Sequence, residues 1–235
     1  MTLHAAAVAV DPPRGPAEQH RAGRAAAAEA LRRAGSPSTR VGRRRDGAPL
    51  FPQGFAGSVT HTTEVALAVV ADVSPASPAS PAPRATGPGI GVDLETRLPH
   101  PRAARLLLDE RERAQLWPDA DTLTLRRLLV AKEAAFKALS SCRSAHGGLF
   151  WRVRLQRRDG LLLAAAGDHR ALVTVLDGPG WAAALAVGVD LAADVVDASD
   201  VLDVLDVLDV LDALAVLAPD VLAPGVQLTT HAVAS

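Results

Sequence analysis

A proline-rich stretch near the middle of this 235-residue chain limits the folds that the chain can adopt. Residues 74–88 contain five prolines, together with serine and alanine. This composition favours an extended linker over a helix or a strand. We therefore predict two halves of similar length: an N-terminal subdomain over residues 1–88, which include the linker, and a C-terminal subdomain over residues 89–190.

The end of the chain has a different composition. Beyond residue 189 there are nine aspartates and neither lysine nor arginine, and the triplet Val-Leu-Asp occurs four times from residue 201. A repeat of three residues matches neither the 3.6-residue period of a helix nor the two-residue alternation of a strand. We expect residues 191–235 to be an acidic low-complexity tail outside the functional unit.

The rest of the chain is basic. Residues 1–189 carry 25 basic side chains and 26 − 9 = 17 acidic ones, a net charge of +8. Such a body attracts anionic partners, which include nucleic acids, polyphosphate cofactors and acidic proteins. Aromatic residues make up only 3% and tyrosine is absent, so platforms for stacking bases are scarce and a nucleic-acid partner is disfavoured.

Several further classes are excluded by simple counts. The single cysteine, Cys142, excludes an intramolecular disulfide framework and a zinc site with several cysteines. The start of the chain lacks a basic segment followed by an apolar run, so we expect neither a signal peptide nor a membrane span. The cytoplasm is the expected location.

Hydrophobic periodicity predicts both helices and strands. The segment 64–72 fits either a helix or a strand, and residues 40–57 are predicted to be irregular because of their glycines and prolines. The predicted helices are 17–34, a helical region near 102–116, and 122–140; the predicted strands are 90–94, 151–156, 161–165, 171–176 and 183–189.

Two carboxylates on the strand near residue 90 form a candidate site. Asp93 and Glu95 stand two residues apart, so their side chains project from the same face of the strand. A pair of carboxylates suits Mg²⁺, which binds one or two of them together with waters and substrate phosphates. An ordinary strand with a polar face turned to solvent is the alternative.

The only two lysines of the chain flank one glutamate on a predicted helix. Glu133 and Lys137 lie one turn apart on the same face, and Lys132 precedes Glu133. Lysine is a compact point charge, unlike the planar fork of arginine, so this pattern suits a small anion such as phosphate. The alternative is an exposed ion pair on a solvated helix. Thr60 and His61 are further candidates for contacts with phosphate, although a lone histidine is often only packed or exposed.

Three motifs in a fixed order resemble the 4′-phosphopantetheinyl transferases, and in particular their actinobacterial and siderophore-synthetase-type branch. The resemblance covers about residues 17–190. The motifs are Gly47-x-Pro49-Leu50-Phe51-Pro52-x-Gly54-x-x-Gly57-Ser58-Val59-Thr60-His61, then Gly91-Val92-Asp93-Leu94-Glu95, and then Ala131-Lys132-Glu133-Ala134-Ala135-Phe136-Lys137.

This resemblance implies an α+β fold of two similar subdomains, packed as a pseudo-dimer with the active site at their interface. It implies a monomeric enzyme that moves the phosphopantetheine arm of coenzyme A to a serine of an apo acyl or peptidyl carrier protein, with release of adenosine 3′,5′-bisphosphate. Siderophore or other secondary-metabolite biosynthesis is the implied setting.

The resemblance also implies roles for particular residues. Asp93, Glu95 and Glu133 would hold Mg²⁺ on the pyrophosphate of the co-substrate, coenzyme A. Glu133 would take the proton of the attacking serine and form the catalytic pair with Lys137.

Other positions would bind the coenzyme. His61 with Thr60 would contact one of its phosphates, and Lys132 would flank the pyrophosphate together with the second lysine. Arg24 and Arg43 stand where this branch carries basic residues for the nucleotide phosphates.

Departures from the family pattern keep a second hypothesis open. Leu129 and Val130 replace an aromatic residue and a serine before the lysine, and Gln19 and Ala48 stand where relatives often carry polar or basic groups. A catalytically inactive relative that binds coenzyme A or carrier proteins is the alternative.

Overall fold

The computed structural model describes residues 1–45, 47–73, 89–141, 150–158 and 160–189. The linker expected at residues 74–88 and the tail expected at 191–235 lie outside the described residues. Within the described ranges the chain forms ten strands and four α-helices. The mixed helix and strand content predicted from the sequence is therefore observed.

The N-terminal half is a three-stranded antiparallel sheet with one long helix and a short hairpin. Its strand order is β1-β5-β4, and β2 pairs with β3. The elements are β1 (Leu3–Ala9), α1 (Pro16–Arg33), β2 (Gly42–Arg43), β3 (Pro49–Leu50), β4 (Phe55–His61) and β5 (Val65–Asp72).

The C-terminal half is a five-stranded antiparallel sheet with the order β6-β10-β9-β8-β7, so β6 lies at its edge. Short 3₁₀ turns precede α2 and β7. The elements are β6 (Ile90–Glu95), α2 (Ala104–Leu107), α3 (Glu110–Leu116), α4 (Thr122–Ser141), β7 (Arg154–Arg158), β8 (Leu161–Ala166), β9 (His169–Gly178) and β10 (Trp181–Val189).

The two sheets pack face to face and the two long helices cover their outer faces. Leu67 and Val69 of β5 share one buried cluster with Val92 and Leu94 of β6. Because strand side chains alternate between faces, the neighbouring residues of β5 and β10 point outward, towards α1 and α4 respectively. The layers therefore run α1, sheet, sheet, α4, and β6 lies where α4 and both sheets meet.

Glycine at position 91 allows α4 to approach β6 closely. A Cβ atom at Gly91 would lie 1.8 Å from the backbone oxygen of Ala134, a distance that no real side chain tolerates. Asp93 follows two residues later and so projects from the same face of β6 as Gly91. The close crossing thus brings the side chains of α4 next to Asp93.

Several local features differ from the sequence predictions. Residues 40–57, predicted to be irregular, contain the short strands β2 and β3 and the start of β4, because antiparallel backbone pairing overrides the local effect of their glycines and prolines. The strand predicted at 151–156 begins at Arg154, after a 3₁₀ turn. Strand β1 was not predicted, because its run of alanines has low β-propensity. The helical region near 102–116 is divided: α2 ends at Leu107, and α3 begins after Asp109. The Asp109 side chain accepts a hydrogen bond from the Glu112 N–H, and Glu112 in turn accepts one from the Asp109 N–H. This capping box starts a new helix at that point.

Candidate active site

Asp93 lies at the junction of the two halves and accepts two hydrogen bonds. Thr60 Oγ1 on β4 donates to Asp93 Oδ1 at 2.8 Å, and Lys137 Nζ on α4 donates to the same oxygen at 2.7 Å. Lys137 Nζ also donates to the backbone oxygen of Val92 at 3.0 Å. The carboxylate is almost completely buried, and it joins a strand of the N-terminal half to a strand and a helix of the C-terminal half.

Glu133 lies one helical turn before Lys137, on the same side of α4. Burial raises the pKa of Glu133, the negative charge of Asp93 raises it further, Lys137 opposes the shift and Glu95 adds to it. The charges of Asp93, Glu95 and Lys137 thus all act on the Glu133 carboxyl, and Lys137 contacts Asp93 directly. The structure therefore brings together Asp93, Glu95, Glu133 and Lys137, four residues that the sequence analysis singled out.

Asp93, Glu95 and Glu133, which we call the acidic group, do not form a preassembled cage for a metal. Within the described ranges, no three His, Cys, Asp or Glu side chains are arranged as a set of metal ligands. Glu95 Oε1 instead accepts a hydrogen bond from the backbone N–H of Arg97 at 2.8 Å. Mg²⁺ needs only one or two carboxylates when waters and substrate phosphates supply its other ligands. The hard oxygen donors of Asp93 and Glu133 fit that requirement.

Lys132 does not lie where the sequence analysis expected it. Its Nζ atom is 3.0 Å from Glu112 Oε1 and 2.9 Å from Glu112 Oε2, and it also donates to the backbone oxygen of Leu107. The side chain is fully buried, and burial lowers the pKa of Lys132 while Glu112 opposes that shift. The ammonium group is enclosed by these acceptors and does not lie at the acidic group, so of the two lysines Lys137 is the one that contacts it.

Thr60 and His61 are directed to different faces of β4. Thr60 is paired in register with Leu67, which belongs to the core between the sheets, whereas His61 is paired with Ala66 on the side of α1. Thr60 is buried and His61 is exposed. Partial burial lowers the pKa of His61, and the positive charge of Lys137 lowers it further. A shared contact of both side chains with one phosphate does not follow from this arrangement.

Arg24 and Arg43 each bind a backbone oxygen of the loop that carries β2 and β3. Arg24 Nη1 donates to the backbone oxygen of Gly42 at 3.3 Å, which ties α1 to β2. Arg43 is exposed, and its Nε donates to the backbone oxygen of Gly47 at 3.4 Å. Arg24 thus lies against the residue that precedes Arg43, and the binding of nucleotide phosphates by these two residues stays a prediction.

One buried cation near the acidic group was missed by the sequence analysis. Arg126 lies on α4 seven residues before Glu133, a spacing of about two turns that puts both on one side of the helix. It is 3% exposed, and its Nε has no hydrogen-bond partner among the described residues. Burial lowers the pKa of Arg126, whereas the charges of Asp177 and Glu95 raise it. The spacing of seven residues between Arg126 and Glu133 was the sequence signal that could have identified this residue.

A cavity of about 340 Å³ lies at the end of β6, and its lining includes neither the three carboxylates nor Lys137. It is formed by the turn between β4 and β5, the residues that follow β6, and the turn between β9 and β10. The lining residues are Thr63, Glu64, Thr96, Arg97, Pro179, Gly180 and Trp181. Thr96 directly follows Glu95, so this polar cavity adjoins the end of β6 without being lined by the acidic group.

Residues 17–71 match the family model of the 4′-phosphopantetheinyl transferase N-terminal domain. The match supports the phosphopantetheinyl transferase family. It extends from α1 into β5 and includes Arg24, Arg43, Thr60 and His61, whereas the acidic group and Lys137 lie outside it. No curated protein is found to match the chain. Among the described residues, no helix is both long and apolar enough to cross a membrane.

Proposed function

We propose that this chain is a 4′-phosphopantetheinyl transferase of the holo-carrier-protein synthase type, in the actinobacterial or siderophore-synthetase-type branch. It transfers the phosphopantetheine arm of coenzyme A to a serine of an apo acyl or peptidyl carrier protein. The observation that supports this most strongly is the group of Asp93, Glu133 and Lys137 at the junction of the halves, in a chain whose first half matches the N-terminal domain of that family.

The reaction balances as a phosphoryl transfer. The serine oxygen forms a bond to the phosphorus that carries the pantetheine arm, the bond from that phosphorus to the bridging oxygen breaks, and adenosine 3′,5′-bisphosphate leaves. Such transfers depend on positioning and charge neutralisation more than on covalent help. When bound, Mg²⁺ would neutralise charge on the pyrophosphate, held by Asp93, Glu133 and, after release from its backbone contact, Glu95.

Side chains of the protein would remove the serine proton, position Asp93 and bind the nucleotide. A serine hydroxyl is a weak nucleophile until a base within hydrogen-bond reach takes its proton, and the Glu133 carboxylate would take that role. Lys137 keeps the Asp93 carboxylate in place and adds a positive charge beside the phosphates. Arg24 and Arg43, with His61, would hold the nucleotide end of coenzyme A.

The arrangement of layers supports the pseudo-dimer that the resemblance implies. Each half presents one sheet to the other half and carries one long helix on its outer face. An active site at the contact of two such halves would draw its groups from both. The hydrogen bond from Thr60 in one half to Asp93 in the other agrees with that expectation.

The charge of the chain suits these partners. Residues 1–189 carry a net charge of +8, which attracts both coenzyme A and acidic carrier proteins. Attraction between exposed charges weakens as salt shortens the screening length, so docking of the carrier should be sensitive to salt. We propose a monomer that acts in the cytoplasm, in siderophore or secondary-metabolite biosynthesis.

The test is incubation of the protein with coenzyme A, Mg²⁺ and a panel of apo carrier proteins, read by intact mass. Gain of one phosphopantetheine arm on a carrier, abolished by a chelator, is the expected result and also identifies the carrier class. The enclosure of Lys132 by Glu112 favours one alternative, an inactive relative that binds coenzyme A or carrier proteins without transferring the arm. Calorimetric binding of coenzyme A without any mass gain would support that alternative.

A further inference from the structure

We infer that Thr60 is a positioning residue, whose hydroxyl orients the Asp93 carboxylate towards Mg²⁺, and that it is not a contact for a coenzyme phosphate. This inference rests on the proposed function, since it gives Asp93 the role of a metal ligand. It departs from the role that the resemblance implied for Thr60.

The hydrogen bond between Thr60 and Asp93 is buried. Thr60 Oγ1 lies 2.8 Å from Asp93 Oδ1, and each residue is 6% exposed. A hydrogen bond to an ionised acceptor is stronger than one between neutral groups, and enclosure by protein strengthens it further. The rotamer of Asp93 is therefore held from the opposite half of the molecule.

The Thr60 hydroxyl can donate only one hydrogen bond. A threonine hydroxyl has a single O–H donor, and a phosphate oxygen offers only acceptors. Because Thr60 gives its proton to Asp93, it cannot donate to a phosphate at the same time. Contact with the coenzyme would require the loss of a buried hydrogen bond to a carboxylate.

The second carboxylate oxygen of Asp93, Oδ2, is the one that could bind Mg²⁺. Both donors, Thr60 and Lys137, bind Oδ1, and Oδ2 accepts no hydrogen bond from the described part of the chain. Fixing one oxygen with two donors fixes the direction of the other oxygen as well. Partners of a metal ligand that act in this way orient it and tune metal affinity. Mg²⁺ affinity should therefore depend on the packing of the N-terminal sheet against β6.

Three variants test the inference through Mg²⁺ binding to the protein without coenzyme A, measured by calorimetry. Thr60→Val keeps the shape and removes the hydroxyl, so we expect Mg²⁺ affinity to fall about tenfold or more. Thr60→Ser keeps the donor and should restore most of the affinity. Ser58→Ala is the matched control, because Ser58 is equally buried on the same face of β4 and is not hydrogen-bonded to Asp93 in the described structure. Thermal unfolding checks that each variant is folded.

Turnover measurements separate the two roles of Thr60. A positioning role predicts that Thr60→Val raises the Mg²⁺ concentration needed for half the maximal rate and leaves the KM for coenzyme A unchanged. A phosphate contact predicts a raised KM for coenzyme A with Mg²⁺ affinity unchanged, and that result would overturn the inference.

Failure of the inference and failure of the proposed function are distinguishable. If folded Thr60→Val binds Mg²⁺ as tightly as the wild type, the inference is wrong and the proposed function stands. If the wild type modifies no carrier but Thr60→Val still weakens Mg²⁺ binding, the function is wrong and the role of Thr60 stands. If the wild-type protein binds no Mg²⁺ without coenzyme A, the inference is wrong, and the mass gain on a carrier decides the proposed function separately.

Discussion

Lys132 Nζ lies 2.9 Å from Glu112 Oε2, and both side chains are almost completely enclosed by protein. The Glu112 carboxylate also accepts hydrogen bonds from the backbone N–H groups of Leu155, at the start of β7, and of Asp109, before α3. One ion pair therefore joins α4 to α3 and β7, outside the acidic group. Its position makes Lys132 a structural residue of the C-terminal half.

Removal of the Lys132 ammonium should destabilise the fold. Lys132→Met leaves the Glu112 charge buried without its cation, which typically costs about 3–5 kcal/mol of unfolding free energy. The double variant Lys132→Met/Glu112→Gln removes that charge but keeps an oxygen for one of the two backbone donors, so it should recover part of the loss. Urea denaturation measures both. A fully stable Lys132→Met protein with a raised KM for coenzyme A would instead support a phosphate contact.

A methyl group at position 91 should separate α4 from β6. The Cβ atom of Gly91→Ala would meet the Ala134 backbone oxygen at 1.8 Å, and backbone cannot rotate away as a side chain can. We expect a loss of at least about 3 kcal/mol, the upper end for overpacking, and weaker Mg²⁺ binding. Gly23→Ala on α1 is the control, because its Cβ would meet only Val59 Cγ1 at 3.1 Å and alanine favours a helix. Equal melting temperatures for the two variants would contradict the close crossing.

Acid should weaken the start of α3. The backbone N–H of Glu112 lowers the pKa of Asp109 below its usual value of 3.8, and Arg154, whose Nε is 2.8 Å away, lowers it further. Since the folded-state pKa is depressed, this stabilisation is present above the unfolded value and is lost as the pH falls through the folded one. Asp109→Asn keeps a capping oxygen without the charge. The stability difference between wild type and variant should shrink below about pH 4, as measured by urea midpoints. A difference independent of pH would rule out this role for the Asp109 charge.

Local patterns were sufficient for much of the fold and for part of the site. The 3.6-residue period predicted α1 and α4, and strand alternation correctly put Asp93 and Glu95 on one face. The i, i+4 spacing predicted that Glu133 and Lys137 lie one turn apart on the same side of α4. Each of these relationships lies within a single element, where the backbone period alone decides which side chains share a face.

Relationships between distant elements could not be obtained in that way. Glu112 precedes Lys132 by 20 residues and Thr60 precedes Asp93 by 33, and no periodicity links such positions. Lys132 stands about 100° around α4 from Glu133, so adjacency in the sequence did not bring it to the acidic group. Tertiary packing decided which of the two lysines supports the site.

Glu133→Gln tests the central claim most directly. The change keeps the size of the side chain and removes its capacity to take a proton, so a loss of catalysis of at least about 10²-fold is expected. The measurement is intact mass of an apo carrier after incubation with coenzyme A and Mg²⁺, with urea midpoints as the control for folding. The proposed function predicts one added phosphopantetheine arm with the wild type and none over the same time with folded Glu133→Gln. Equal modification by both proteins, or binding of coenzyme A by the wild type without modification of any carrier, would contradict it.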